Sequence, residues 1–430
     1  MKVLMFGWEF PPHITGGLGT ACFGLVKGLA KQSVDVLFVV PRLFGDEDNR
    51  SAYLLDAGDV EINERNFSYE EYWKHITIHQ IGSNLIPYVS AEDFERLVKQ
   101  SSLESKNAQE NIYRAKYKFS GKYGQDLYSE VSRYALVASV LAKEHRHDVI
   151  HAHDWLTYPA GIAAKKISNK PLVIHVHATE FDRSGEHINQ YVYDIEKKGM
   201  EVADRVITVS HLTRNIVIER YGINPDKVFT VHNGVENTNQ DSIVQNKGFP
   251  EKLVTFLGRI TFQKGPDYFV EAANMVLKRD ANVRFVMAGS GDMLYRMIRR
   301  VGQLGISNRF QFAGFLKGDD VDRLFSISDV YVMPSVSEPF GISPLEAMRS
   351  SVPVIISKQS GVSEVLKYAV KVDFWDLDAL SDAIYGLIKY DGLSKMFRRY
   401  GREEVDNLKW DNAAKNVKKV YESVAGTINN

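Results

Sequence analysis

The feature that most constrains this chain is an alternation, run through twice, of short apolar segments with amphipathic helical ones. Residues 3–6 form a short apolar run, Leu18, Cys22, Leu25 and Leu29 recur at helical spacing, and 34–40 form a second run stopped by Pro41. Strands that are apolar on both faces belong to parallel sheets covered by helices on each side. The alternation resumes with strands expected at 148–153, 172–177 and 205–209. It then restarts with strands at 253–257, 283–288, 330–333 and 353–356 and a helix opening at Pro266. The intervening stretch 46–124 is polar and less periodic, and reads as insertions and helices decorating the first domain. At 430 residues the chain exceeds one typical domain of about 150 residues. Residues 236–249 are rich in Asn and Gln, run into a Gly-Phe-Pro turn at 248–250, and read as the interdomain linker. The expected fold class is α/β, with two facing doubly wound, Rossmann-like domains and a cleft between them. The expected divisions are 1–240, 241–409, and a helical tail 410–430 packing back across the first domain.

Fifty-three basic side chains oppose 54 acidic ones, a formal charge of −1, so no overall field draws the chain to nucleic acid or anionic lipid. Lys116, Lys118 and Lys122 form a local basic group that reads as a solvated helix face. The single cysteine, Cys22, rules out an internal disulfide and any multi-thiolate metal site. The apolar start at Met1 to Phe6 is too short for a secretory signal, and no apolar run approaches the ~18 residues of a membrane span. A cytoplasmic location is the expectation, and the oligomeric state is left open.

In open parallel sheets ligands bind beyond the carboxyl ends of the strands. After the first strand comes Gly7-Trp8-Glu9-Phe10-Pro11-Pro12-His13-Ile14-Thr15-Gly16-Gly17-Leu18-Gly19. Glycines ahead of a helix let backbone N–H groups approach a phosphate. A dinucleotide fingerprint fails, because the frame from Gly17 needs glycine where Cys22 stands and the second strand lacks an acidic ribose ligand. No P-loop motif occurs. His151, His153, Asp154, His175 and His177 fall at the ends of two strands. Residues two apart share a face, which invites a metal, but no further ligands at metal-site spacing accompany them. His151 and His175 read as core histidines; His153 and His177, at the tips, are suited to hydrogen-bonding a sugar hydroxyl as neutral imidazoles.

In the second half, Arg259 and Lys264 flank the turn Gly258 to Pro266 and can hold one diphosphate between a guanidinium fork and a point charge. Ala288-Gly289-Ser290-Gly291-Asp292 is another strand-to-glycine turn. The segment 335–348 carries Glu338 and Glu346; Ser343, Pro344 and Glu346 fit the N-cap, N1 and N3 of a capping box, a purely structural use of Glu346. The same turn aims the N–H groups of Gly341, Ile342 and Ser343 outward as a phosphate cradle able to stabilise a departing diphosphate.

Taken together, Gly16-Gly17-Leu18-Gly19, His151-Ala152-His153-Asp154-Trp155, Val231-His232-Asn233-Gly234-Val235, Gly258-Arg259 with Lys264-Gly265, and the Glu338/Glu346 pair resemble the retaining GT-B glycosyltransferases, in their glycogen/starch synthase-like branch. The resemblance runs in order from residue 7 to about 366. It implies a first domain on the acceptor side and a second that binds a nucleotide-sugar donor. Gly16 and Gly17 would approach the donor and Glu9 would lie near the acceptor. Asp154 would face the transferred sugar and His177 its hydroxyls, while Arg259 and Lys264 would hold the diphosphate. Glu338 would contact the donor sugar and Glu346 the ribose. A hexose, glucose foremost, would pass to a carbohydrate acceptor, an α-glucan foremost, with retention of configuration, without a cofactor or a metal. Ile14 stands where starch synthases begin Lys-x-Gly-Gly, and Ser360 where relatives often have glycine; UDP-glucose, ADP-glucose and GDP-mannose all stay open as donors. A transferase building a disaccharide or surface polysaccharide, and a nucleotide-sugar epimerase on the same twin fold, are the alternatives. Asp46-Glu47-Asp48 mimics a metal-binding D-x-D but reads as a solvated turn.

Overall fold

The computed structural model describes residues 1–13, 16–60, 116–121, 127–236 and 247–426. The chain divides into two compact units. The first comprises 1–208, 214–231 and 414–430; the second comprises 209–213 and 232–413. The expected linker at 236–249 lies largely outside the described residues, as do Lys122 and most of 46–124.

The first unit holds β1 (Lys2–Phe6), β2 (Asp35–Val40), β3 (Tyr53–Asp56), β4 (Val149–His153), β5 (Leu172–Val176), β6 (Arg205–Thr208) and β7 (Val228–Thr230). They form one parallel sheet in the order β3-β2-β1-β4-β5-β6-β7. The second unit holds β8 (Lys252–Leu257), β9 (Val283–Ala288), β10 (Phe310–Gly314), β11 (Val330–Met333), β12 (Val354–Ser357) and β13 (Val370–Val372). These form a parallel sheet ordered β10-β9-β8-β11-β12-β13. Each order is doubly wound: it runs outward one way from the first strand, then returns to that strand's other side. The reversal falls between β1 and β4 in the first unit and between β8 and β11 in the second, and ligands of such sheets bind at this switch point.

The central strands are buried on both faces, as their apolar composition requires; β4 and β5 are buried along their whole length. Leu4, Phe6, Ile150, Ile174 and Val206 join Tyr134 and Tyr158 in the first core, and Val254, Phe256, Phe269, Phe285, Val332 and Ile355 build the second. The Tyr134 hydroxyl is shared between the carbonyls of Val39 at 2.7 Å and Gly7 at 3.1 Å, tying a helix to the ends of β1 and β2. The helix Trp410–Ala425 places Tyr421 in the first unit, with its hydroxyl 2.5 Å from His151 Nδ1.

Two expectations need correction. The stretch after residue 46 contains β3, an edge strand paired with β2, and is not decoration alone. Residues 116–121 are not helical, so Lys116 and Lys118 do not lie on a helix face. Among the described residues no helix is long and apolar enough to cross a membrane.

Candidate functional site

At the first switch point, β1 and β4 end side by side, with Phe6 paired to Ala152. After β4 the chain turns at Asp154, in the left-handed region at φ 59°, which an Asp tolerates better than most residues. The turn is fixed by Asp154 N–H donating to the His175 carbonyl (3.0 Å) and by the Thr157 hydroxyl donating to the His153 carbonyl (2.8 Å). Asp154 Oδ1 accepts the N–H groups of His177 at 2.6 Å and Ala178 at 3.3 Å, while Oδ2 has no hydrogen bond among the described residues. Burial raises the Asp154 pKa from 3.8 to about 6, against the pull of the Arg183 guanidinium and those two N–H donors.

Beside it His177 packs against His175, and its Nε2 lies 2.9 Å from His153 Nδ1. Burial lowers the His177 pKa from 6.5 to about 3, so its ring is neutral throughout the physiological range. Contrary to the sequence expectation, His153 is as buried as His151, at 0% exposure, so only His177 of the four histidines is in reach of solvent. The helix Gly17–Lys31 brings Cys22 to the same place, within 4.8 Å of ligand atoms of His153 and His177. A Cβ added at Gly16 or Gly17 would meet nothing within 4 Å among the described residues, and Gly16 is extended at φ −171°, so no described contact requires glycine there. Glu9 is buried, and its charge adds to burial and Asp154 in holding the Cys22 thiol protonated.

Arg183 is a member of this site that the sequence reading missed. It pairs with Glu180 at 3.1 Å and with Glu196, and its charge acts on Asp154. Its only local signal was the three-residue spacing from Glu180 on a five-residue helix.

At the second switch point, the loop after β8 carries Arg259 and Lys264, and the loop after β11 carries Glu338. The two loops are stitched by Val336 N–H donating to the Gln263 carbonyl at 2.9 Å. Gly265, at φ +64°, lies so close to the Pro334 carbonyl that a Cβ would stand 2.0 Å from its oxygen. The Lys264 ammonium pairs with the Glu338 carboxylate, which also accepts the Ser335 hydroxyl at 3.3 Å. Arg259 is exposed, with one weak contact to Gln263 at 3.4 Å. The turn 288–292 buttresses this loop: Ile260 N–H donates to Ser290 at 2.8 Å, and a Cβ on Gly289 would stand 1.8 Å from the Gly258 carbonyl oxygen.

The capping box at 343–346 does not form. Ile342 is the N-cap residue, in helical conformation, and the Ser343 hydroxyl instead accepts from Tyr331 at 2.9 Å. The structural use of Glu346 therefore falls away. Its half-buried carboxylate has no hydrogen-bond partner among the described residues, and burial raises its pKa despite nearby Arg349. The N–H groups of Gly341, Ile342 and Ser343 likewise donate to no acceptor among the described residues. Glu364 accepts the N–H groups of His211 and Leu212 and sits 2.8 Å from His232 Nε2. Asp46, Glu47 and Asp48 are engaged by His13, by their own turn and by Arg50, as a solvated turn would be.

Residues 2–231 match the family described as the starch synthase catalytic domain, and residues 238–404 match glycosyl transferases group 1. The chain is 29% identical to an uncharacterized glycosyltransferase of Methanocaldococcus jannaschii, covering 98% of both chains. It is 22% identical to a glycogen synthase of Mycobacterium tuberculosis, covering 98% of this chain and 94% of that one. Sucrose-phosphate synthase of Thermosynechococcus elongatus superposes with a TM-score of 0.71 at 17% identity, covering 99% of each chain. The Anabaena protein HepE, solved with UDP and glucose, does so with 0.67 at 18% identity, covering 98% of this chain and all of that one. With two Rossmann-like units in series and both family matches end to end, the chain belongs to the GT-B glycosyltransferases, in their glycogen/starch synthase-like branch.

Proposed function

We propose that this hexosyltransferase draws on a nucleoside diphosphate-sugar and transfers glucose to an α-glucan with retention of configuration. The observation that carries the reading is at the second switch point: two cations, Arg259 and Lys264, beside three N–H groups and a carboxylate, Glu346, that have no hydrogen-bond partner among the described residues. Cations and outward N–H groups suit a diphosphate, and an unpartnered carboxylate suits a pair of ribose hydroxyls. Glu338 is then assigned to the donor sugar, with Lys264 shared between it and the diphosphate.

In the first unit, Asp154 Oδ2 and His177 are assigned to the hydroxyls of the transferred glucose, Gly16 and Gly17 to close approach of the donor, and Glu9 to the acceptor side. Charge develops on the departing phosphate as the glycosidic bond breaks, and Arg259, Lys264 and the amides of Gly341 to Ser343 lower its cost. The leaving phosphate oxygen accepts the acceptor proton on the same face, so no side chain is needed as base. A neutral His177 fits that scheme, since it donates or accepts a hydrogen bond without adding charge. No metal is assigned a part in the transfer.

The test is nucleoside diphosphate release from UDP-glucose, ADP-glucose and GDP-mannose, each with and without glycogen, with product anomers followed by NMR. Release that requires glycogen and gives an α-product supports the reading. Turnover of donor without any acceptor would point to the epimerase alternative.

A further inference from the structure

Behind the tips of β4 and β5 lies a cluster that the transfer reaction does not use. His151 and His153 share one face of β4, and His175 is the register partner of His153 on β5. Their ring centroids lie 4.2 Å apart for the tilted pair His151 and His153, and 5.3 and 5.2 Å from His175, which stacks on both. All three are buried, at 0%, 0% and 2% exposure. One ring nitrogen of each lies within 4.8 Å of one on each of the others.

Buried polar atoms in folded proteins are almost always paired, and four here have no partner among the described residues: His151 Nε2, His153 Nε2, and both nitrogens of His175. The pattern is orderly. His151 uses its Nδ1 on the Tyr421 hydroxyl at 2.5 Å, and His153 uses its Nδ1 on His177 at 2.9 Å. Each therefore has one nitrogen held by a partner and the other bare, the arrangement by which metal-ligating histidines are oriented. Burial, followed by neighbouring rings, pushes all three pKa values well down, so each ring is neutral and has a lone pair to give.

From this geometry we infer that His151, His153 and His175 form a binding site for a divalent transition cation of the zinc class, with Tyr421 and His177 as the outer partners of its ligands. Three imidazoles leave one position of a tetrahedral zinc open. The ligand nitrogens, within 4.8 Å of one another, draw together around the cation to reach zinc–nitrogen bonds of about 2.0–2.1 Å. With the cation on Nε2 of His153, the proton of that ring is fixed on Nδ1 and donated to His177 Nε2. The site thus sits behind the sugar-facing histidine and sets its tautomer, without touching substrate.

The test loads the full-length protein with Zn²⁺ or Co²⁺, removes excess by gel filtration, and measures metal per chain by mass spectrometry, with Co²⁺ coordination read from its visible spectrum. About one tightly held metal per chain and a tetrahedral Co²⁺ spectrum are expected. His151→Gln and His175→Gln should each lose the metal while keeping the far-ultraviolet circular dichroism of the parent. Tyr421→Phe should weaken binding by roughly 10–100-fold. Wild-type protein that emerges metal-free overturns the inference. So does metal that survives both glutamine substitutions but is lost in His13→Ala or His211→Ala, members of the two exposed clusters, or in Cys22→Ala. If either glutamine variant fails to fold, the Tyr421→Phe measurement decides: unchanged affinity there counts against the site.

Discussion

The ammonium of Lys264 and the carboxylate of Glu338 form an ion pair between the loops that follow β8 and β11, with side chains only 18% and 8% exposed. The pair holds a cation at the switch point of the second sheet while half neutralising it. Lys264→Ala removes that cation and leaves the Glu338 carboxylate with the Ser335 hydroxyl as its one hydrogen-bond partner among the described residues. The expected loss in kcat/KM is about 10²–10³-fold, the scale seen when one stabilising donor is taken from a developing charge. Glu338→Gln frees Lys264 but removes the proposed sugar contact, and a loss of similar size is expected. Steady-state kinetics with circular dichroism as a folding control checks both, and full activity in both variants would defeat the site assignment.

Asp154 sets a pH dependence whose direction can be stated. Its folded pKa is raised to about 6 from 3.8, so folding is favoured by the protonated form, and that contribution is fully present below about pH 4 and lost as pH rises through 6. Asp154→Asn keeps an acceptor for the His177 and Ala178 N–H groups and tolerates the left-handed turn. Its stability relative to wild type should therefore rise between pH 4 and 7, by at most about 3 kcal/mol. Urea melts at pH 4 and pH 7.5 measure this. In kinetics, kcat/KM of the wild type should fall on the acid side of about pH 6, and absence of this limb in Asp154→Asn assigns it to Asp154.

Glu346 makes no hydrogen bond within the chain among the described residues, so its replacement separates binding from folding. Glu346→Gln should leave the melting temperature unchanged or slightly raised, since an unpaired half-buried charge is removed. Donor affinity should fall by about 10–100-fold, the equivalent of losing a hydrogen bond to a charged group. Calorimetric titration with the free nucleoside diphosphate and with the whole donor reads the difference directly.

The glycines divide in the same way. Gly289→Ala and Gly265→Ala drive a Cβ into the carbonyl oxygens of Gly258 and Pro334 from positive-φ positions, and both should destabilise the second unit severely. Gly17→Ala meets open space and should fold normally, yet raise the donor KM by occupying room kept for the ligand. Thermal melts alongside kinetics separate the two outcomes.

The nine interior strands were readable as apolar runs because burial on both faces leaves no other pattern. The four that were missed, β3, β7, β10 and β13, are all sheet edges. Their residues are half exposed, as in the Phe310–Gly314 strand where only Phe310 is buried, so no continuous apolar signal exists. The site motifs were legible for a related reason: switch-point loops follow the interior strands, so finding those strands pointed to Asp154, Lys264 and Glu338. What sequence could not supply was tertiary pairing. Nothing local shows that Glu364 accepts from His211, that Arg183 sits among Glu180, Glu196 and Asp154, or that Ser343 serves Tyr331 rather than a capping box. His153 read as a strand-tip residue because its burial is contributed by distant neighbours such as Phe38.

The most direct measurement is a crystal structure of the protein soaked with UDP-glucose or ADP-glucose. The account predicts both phosphates against Arg259 and Lys264, with the amides of Gly341 to Ser343 on their oxygens and Glu346 on the ribose. A nucleotide bound elsewhere, or Lys264 still paired only to Glu338 in a donor-saturated crystal, would contradict it.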